Sequence, residues 1–199
     1  MKFQESATAH YYLDGLNGIE IGGSAHNAFG LNTLNVDKFG STDPRSAHYR
    51  SEQIRITSMD GGTPEVMPVD VVAPGDRLPF KNKKFDFIIT SHVLEHFYDP
   101  IGALKEWMRV ASKYIFCIVP KRDALPSDVG RDVTTIAELI ERHNSKESLP
   151  DTDEHHTVFD TGLIRDIADY LGVEMHIWET DDKAGNGHAF LIDIKAPLK

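Results

Sequence analysis

One cysteine, Cys117, stands alone among 199 residues, so no disulfide can form within the chain and a disulfide-built secreted scaffold is excluded. Long hydrophobic runs are missing too. Stretches such as Phe87-Ile88-Ile89 and Val71-Val72-Ala73 fall far short of the roughly 20 apolar residues that a membrane-crossing helix needs. The opening residues, Met1 to Gly15, lack the apolar centre of a signal peptide. These absences lead us to expect a cytoplasmic protein with no membrane partner.

Positive charge is also scarce. Lys and Arg number 21 against 31 acidic residues, for a formal net charge of −10. Such a field repels a nucleic-acid backbone unless a local basic patch overcomes it. Basic stretches occur at Lys81 to Lys84 and Lys121-Arg122, but no aromatics are interleaved with them. A small molecule is therefore the expected partner, and nucleic acid is not. Nothing in the composition sets the oligomeric state.

What the chain does have is alternation. Short apolar runs end in small or polar residues and lead into amphipathic stretches, which is the pattern of alternating strands and helices. Strands are expected over Gly18–Ile21, Thr33–Val36, Val69–Val72, Phe85–Thr90 and Tyr114–Val119. Helices are expected over Ser6–Leu13, Arg45–Ile56, Thr134–His143 and Thr161–Leu171, the last ended by Gly172. Another helix starts at Asp99-Pro100, a capping residue followed by proline at the first helical position. It carries Ile101, Leu104, Trp107, Met108 and Ala111 as an apolar stripe. Two closing strands, Val173–Thr180 and His188–Ala196, have no helix between them and form an antiparallel pair. The fold class that follows is α/β: a doubly wound, Rossmann-like, mainly parallel sheet with an antiparallel C-terminal edge. One domain over 1–199 is expected, with an insert at about 120–160 on the side of any second substrate. A ligand of such a sheet lies beyond the carboxyl ends of its strands.

Three segments in fixed order carry a resemblance. They are GIEIGGSAHN with LNVD after it, then DRLPFKNKKFDFIITSHVLEH, then DPIGALKEWMRVASKYIFCIVPKRD. Together, over roughly Gly18 to Val119, they resemble the class I S-adenosylmethionine-dependent methyltransferases, in particular the small-molecule branch of the methyltransferase type 11 kind. The resemblance implies S-adenosylmethionine as cofactor. It places Glu20, Gly22, Gly23 and Ser24 around the methionine end and Asp37 at the ribose hydroxyls. Asp76, Arg77 and Leu78 fall at the adenine edge, and Ser91 lies beside the transferable methyl. Two departures stand out: Ser24 and His26 occupy positions where the family shows its second and third glycines. The interval from Gly23 to Asp37 is also shorter than the ~20 residues usual in nucleotide-binding units, so a loop is expected to replace the first crossover helix.

Histidines supply the candidate bases. An imidazole with an ordinary pKa near 6.5 suits removal of a proton from a hydroxyl or amine acceptor. His92 is the first candidate, with His96 and His156 as alternatives. His92-Val-Leu-Glu95-His96 also matches the HxxEH pattern of certain zinc peptidases. That pattern needs a continuous helix, whereas here it directly follows a strand; the adjacent His155 and His156 could complete a metal cluster but read as an exposed loop feature, so no metal is expected. Arg122 and Arg131 are candidate ligands for an acidic group on the acceptor.

The expected activity is methyl transfer to an oxygen or nitrogen of a metabolite, sugar or natural-product acceptor. Its main competitor is a methyltransferase-like binding protein that keeps the fold without turnover. A zinc-dependent hydrolase is the third reading. Cofactor binding separates the first from the second, and chelator sensitivity marks the third.

Overall fold

The computed structural model describes residues 6–25, 27, 29–47, 49–51, 53–54, 66–145 and 154–194. Its strands are β1 (Gly18–Ile21), β2 (Thr33–Asp37), β3 (Val71–Val72), β4 (Phe85–Ser91), β5 (Ala111–Pro120), β6 (Met175–Trp178) and β7 (Gly187–Asp193). They form one sheet in the order β3-β2-β1-β4-β5-β7-β6. β1 to β5 pair in parallel, and β7 inserts antiparallel between β5 and β6. The doubly wound, mainly parallel sheet with an antiparallel edge is thus the observed architecture.

Helices α1 (Ala7–Leu13), α2 (Pro100–Val110), α3 (Ile136–Ser145) and α4 (Thr161–Leu171) accompany the sheet. Successive residues of a strand point to opposite faces, and β4 and β5 are apolar on both. Ile88, Ile115, Cys117 and Val119 pack on one face with Ile101, Leu104 and Trp107 of α2, Leu139 of α3 and Leu163, Ile164 and Ile167 of α4. Phe87, Ile89, Phe116 and Ile118 pack on the other with Ala9 and Leu13 of α1, Phe29 and Leu31. Cys117 is fully buried, and desolvation pushes its thiol well above the ordinary range. It is a core residue, as its place in an apolar strand predicts.

Caps fix where the helices begin. Ser6 accepts from the Ala9 N–H at 3.0 Å, Asp99 from Gly102 at 2.8 Å, and Asp160 from Leu163 at 2.7 Å, each satisfying an otherwise orphaned donor. Gly172, at φ 64°, closes α4 in the left-handed conformation. Asp99 also binds Nδ1 of His143 at 2.8 Å, tying the start of α2 to α3.

Several boundaries differ from the sequence expectation. β5 begins at Ala111 rather than Tyr114, because Ala111 pairs with Phe85 across an irregularity in the β4 register. Ala111 therefore belongs to the strand and not to the α2 stripe. β3 is two residues long, and α3 starts at Ile136. The first crossover forms no regular helix among its described residues, as its shortness implies. The helix expected over 45–56 is described only between 47 and 54, and the last two residues expected in β7 lie outside the described set.

Candidate functional site

The strand order reverses between β1 and β4, whose neighbours β2 and β5 lie on opposite sides. The carboxyl ends of these two strands flank the crevice in which open α/β sheets bind ligands. At the β1 end the chain turns sharply. Gly22 has φ 71° and Ser24 has φ 55°; both are left-handed, a conformation that favours glycine. Ser24, where the sequence resemblance puts a second glycine, has the backbone that a glycine would take there. A Cβ on Gly22 would lie 2.5 Å from Val93 Cγ2, and one on Gly23 would lie 3.0 Å from both Asn35 Oδ1 and Glu20 Cδ. Only a bare backbone passes between these groups.

Glu20 projects into this turn and is buried to 5% exposure. Burial raises its carboxyl to about 7, against the opposing pull of Lys183. Lys183 comes from the loop between β6 and β7. Its ammonium stands 3.4 Å from Ser91 Oγ at the end of β4 and 4.6 Å above the Phe29 ring. Asp181 shapes this loop by accepting the N–H groups of Lys183, Ala184, Gly185 and Gly187 at 2.6–3.0 Å. Burial alone would raise its pKa, but these donors outweigh burial and hold it below the ordinary value. No periodicity or motif pointed to Lys183 or Asp181.

Asp37 closes β2, and its Oδ1 accepts from the Phe39 N–H at 3.4 Å. Asp76 and Arg77 are exposed, while Leu78 is buried in the core. The backbone of Leu78 is pinned to α2 by Glu106 at 2.7 Å and Arg109 at 3.2 Å.

His92 follows β4 directly and has φ 56°, an uncommon backbone for a residue with a side chain. Burial lowers its pKa first, and the Lys183 charge lowers it further. A single 3₁₀ turn, Leu94–His96, comes next. Here the structure gathers a cluster. His92 Nδ1 lies 3.7 Å from Glu95 Oε1, while His96 Nε2 and His155 Nε2 each lie 4.0 Å from the same oxygen. Asp128 Oδ2 holds His155 Nδ1 at 2.7 Å, and Arg131 holds the other oxygen of Asp128 at 2.9 Å. Glu95 is fully buried, and desolvation raises its carboxyl to about 8.

The three histidines named as candidate bases do not converge. His92 and His96 join the cluster, whereas His156 faces Tyr98, ring to ring at 5.8 Å. Its neighbour His155 takes the place beside Glu95. The N–H groups of His156 and Thr157 donate to the Glu95 carbonyl at 2.8 and 3.2 Å, bringing this segment to the 3₁₀ turn. Arg122 is exposed, with acidic neighbours Asp123 at 3.8 Å and Asp132 at 3.6 Å.

Residues 30–117 match the family model described as a methyltransferase domain; the match begins after the Gly22–Ser24 turn. Among solved structures, the chain is similar to an S-adenosylmethionine-dependent methyltransferase from Thermotoga maritima, a candidate histamine N-methyltransferase. The TM-score is 0.54 at 18% identity, covering 94% of this chain and 86% of that one. It is similar to a candidate sarcosine dimethylglycine methyltransferase from Galdieria sulphuraria, with TM-score 0.52, 13% identity and coverage of 94% and 82%. A third similarity is to a chain in the complex of the Haloferax volcanii Trm112 methyltransferase activator with a candidate methyltransferase. There the TM-score is 0.53 at 12% identity, with coverage of 92% and 84%. No curated protein matches the chain by sequence.

Proposed function

We propose that this chain is a class I S-adenosylmethionine-dependent methyltransferase and that it methylates an oxygen or nitrogen atom of a small-molecule acceptor. One observation supports the reading above the others. The left-handed Gly22–Ser24 turn, the buried Glu20 and the Ser91-His92 pair meet at the strand ends where the sheet order reverses.

The residues present fit the cofactor. Ser24 Oγ and Asn35 Oδ1 are buried without a hydrogen-bond partner among the described residues, and a Cβ at Gly23 would crowd the same spot. Glu20 and Lys183 offer one anion and one cation, matching the amino and carboxylate groups of a methionine moiety. Asp37 is the ligand for the ribose hydroxyls, and the Asp76–Leu78 backbone borders the adenine. When bound, S-adenosylmethionine supplies an electrophilic methyl carbon on a sulfonium.

The chain's own task is then alignment and proton removal. Holding the acceptor in line is worth several kcal/mol in reactions of this kind. His92 is the base we favour, because it directly follows Ser91 at the end of β4. His96 and His156 are less suited: the first belongs to the Glu95 cluster and the second faces Tyr98. The insert at about 120–160 forms the acceptor side, with Arg122 available to an acidic group. Arg131 acts through Asp128 instead.

The test is thermal unfolding with S-adenosylhomocysteine, backed by calorimetric titration. At ~100 times its dissociation constant, a ligand of the native state adds ~2.7 kcal/mol. That corresponds to a rise in Tm of several degrees for a chain of this size. Asp37→Ala should weaken binding at least tenfold. Well-folded protein with neither shift nor heat would overturn the reading in favour of a methyltransferase-like binding protein.

A further inference from the structure

We infer that Glu95, His96 and His155 form a binding site for a divalent transition-metal ion of the zinc type. One ligand atom from each residue lies within 4.8 Å of the other two. The expectation against a metal rested on the missing continuous helix. The structure reaches the same convergence differently, through a 3₁₀ turn after β4 and a returning segment hydrogen-bonded to the Glu95 carbonyl.

Geometry is close to what such an ion requires. Tetrahedral zinc with bonds of about 2.1 Å spaces its ligand atoms about 3.4 Å apart. Both imidazole Nε2 atoms stand 4.0 Å from Glu95 Oε1, and no pair in the set exceeds 4.8 Å, so contractions of about 0.6 to 1.4 Å per pair close the set. Two His and one Glu are also a donor set found in zinc enzymes, with a fourth position left for an oxygen ligand.

Two further observations point to a ligand rather than to chance proximity. First, the Glu95 side chain is 0% exposed, and neither carboxylate oxygen has a hydrogen-bond partner among the described residues. A buried carboxylate without a hydrogen bond is costly whether ionised or protonated, and a cation removes that cost. Second, the 2.7 Å contact between Asp128 and His155 Nδ1 orients the ring so that Nε2 presents its lone pair toward Glu95. Carboxylate–histidine–metal relays use this arrangement to fix the tautomer of the ligand. Arg131 in turn holds Asp128, which is 1% exposed. His92 stays outside the mutually close set, so its proposed service as a base is compatible with the metal.

The experiment uses the full chain without an affinity tag, stripped with a chelator and titrated with Zn²⁺ by calorimetry, and with Co²⁺ by visible absorption. We expect one equivalent per chain and the spectrum of a four-coordinate cobalt site. Glu95→Gln should lower affinity at least tenfold, and Asp128→Asn by ~10–100-fold through loss of the orienting contact. His176→Ala, at an exposed position on β6, should leave it unchanged. Circular dichroism of each variant separates loss of the site from loss of the fold. Absent saturable binding to the wild-type chain, or binding indifferent to both Glu95→Gln and Asp128→Asn, would overturn the inference. S-adenosylhomocysteine binding by the metal-free chain is measured in parallel, so failure of the metal site and failure of the methyltransferase reading are distinguishable.

Discussion

Lys183 reaches across the carboxyl end of the sheet to donate to Ser91, 92 positions away in sequence, with 3.4 Å between Nζ and Oγ. The same ammonium lowers the pKa of Glu20, so one flexible side chain is linked to the ends of both β1 and β4. If Lys183 pairs with the carboxylate of the methionine moiety, removing its charge costs a charge-assisted contact of roughly 1.5–3 kcal/mol. Lys183→Met should therefore weaken S-adenosylhomocysteine binding by 10–100-fold in calorimetry. Tighter binding by that variant would instead mean that Lys183 competes for the site and has to leave it.

Glu20 gives the site a pH signature. Its folded-state pKa of about 7 lies above the ordinary 4.5. Between these values the native state holds a proton that the unfolded chain has released. The contribution of this group is therefore fully present below about 4.5 and is lost as pH rises to about 7. Its size is on the order of 3 kcal/mol. Glu20→Gln should remove that slope, which urea denaturation at pH 5, 6, 7 and 8 would reveal. Cofactor binding should also expel the proton, because a cation beside Glu20 favours its charged form. Titrations near pH 6.5 in buffers of different ionisation enthalpy should show proton release in wild type and none in Glu20→Gln.

How much of this was legible in the sequence depends on range. β4 could be read because Phe85–Thr90 is a continuous apolar run, and α2 because Asp99-Pro100 is a local start signal. α4 matched residue for residue, its ends fixed by Asp160 and Gly172. The start of β5 could not be read, since it depends on Phe85 pairing with Ala111 across the sheet. The proposed cradle rests on the family resemblance, which says nothing of Lys183. Its relation to Ser91 exists only once β7 has inserted beside β5. His155 and His156 were legible as a pair but not apart, since only hydrogen bonds to the Glu95 carbonyl and to Asp128 distinguish them.

Asp181 is the residue that should hold the Lys183 loop in shape. Its carboxylate accepts four backbone N–H groups, and an amide in its place would lose charge and leave at least one donor poorly served. Asp181→Asn should cost ~1–3 kcal/mol by urea denaturation. It should also speed hydrogen exchange across residues 183–187 without affecting β4. Unchanged exchange in that loop would show that β6 and β7 hold it alone.

Trp107 ties the base of α2 to the turn after β3. Its indole N–H donates to the Gly75 carbonyl at 2.8 Å, and the side chain is fully buried. Trp107→Phe removes the donor, leaves that carbonyl unpaired and opens a void next to the core. Together these should cost ~2–4 kcal/mol. The measurement is the midpoint of chemical unfolding; a loss under 0.5 kcal/mol would mean that solvent replaces the indole.

Ser24 sets stability against function most directly. Its φ of 55° is left-handed, a conformation that costs a residue with a Cβ roughly 1–2 kcal/mol relative to glycine. Its hydroxyl is buried without a partner among the described residues, which adds a second cost. Ser24→Gly relieves both, so the ligand-free protein should gain ~1 kcal/mol, or about 2–4 °C in Tm. A residue kept at such a cost is explained if its hydroxyl meets the cofactor, since strain of this kind gathers at ligand clamps. The same variant should then bind S-adenosylhomocysteine several-fold more weakly. A gain in stability with undiminished affinity would remove Ser24 from the cofactor site and leave its left-handed turn as a purely structural feature.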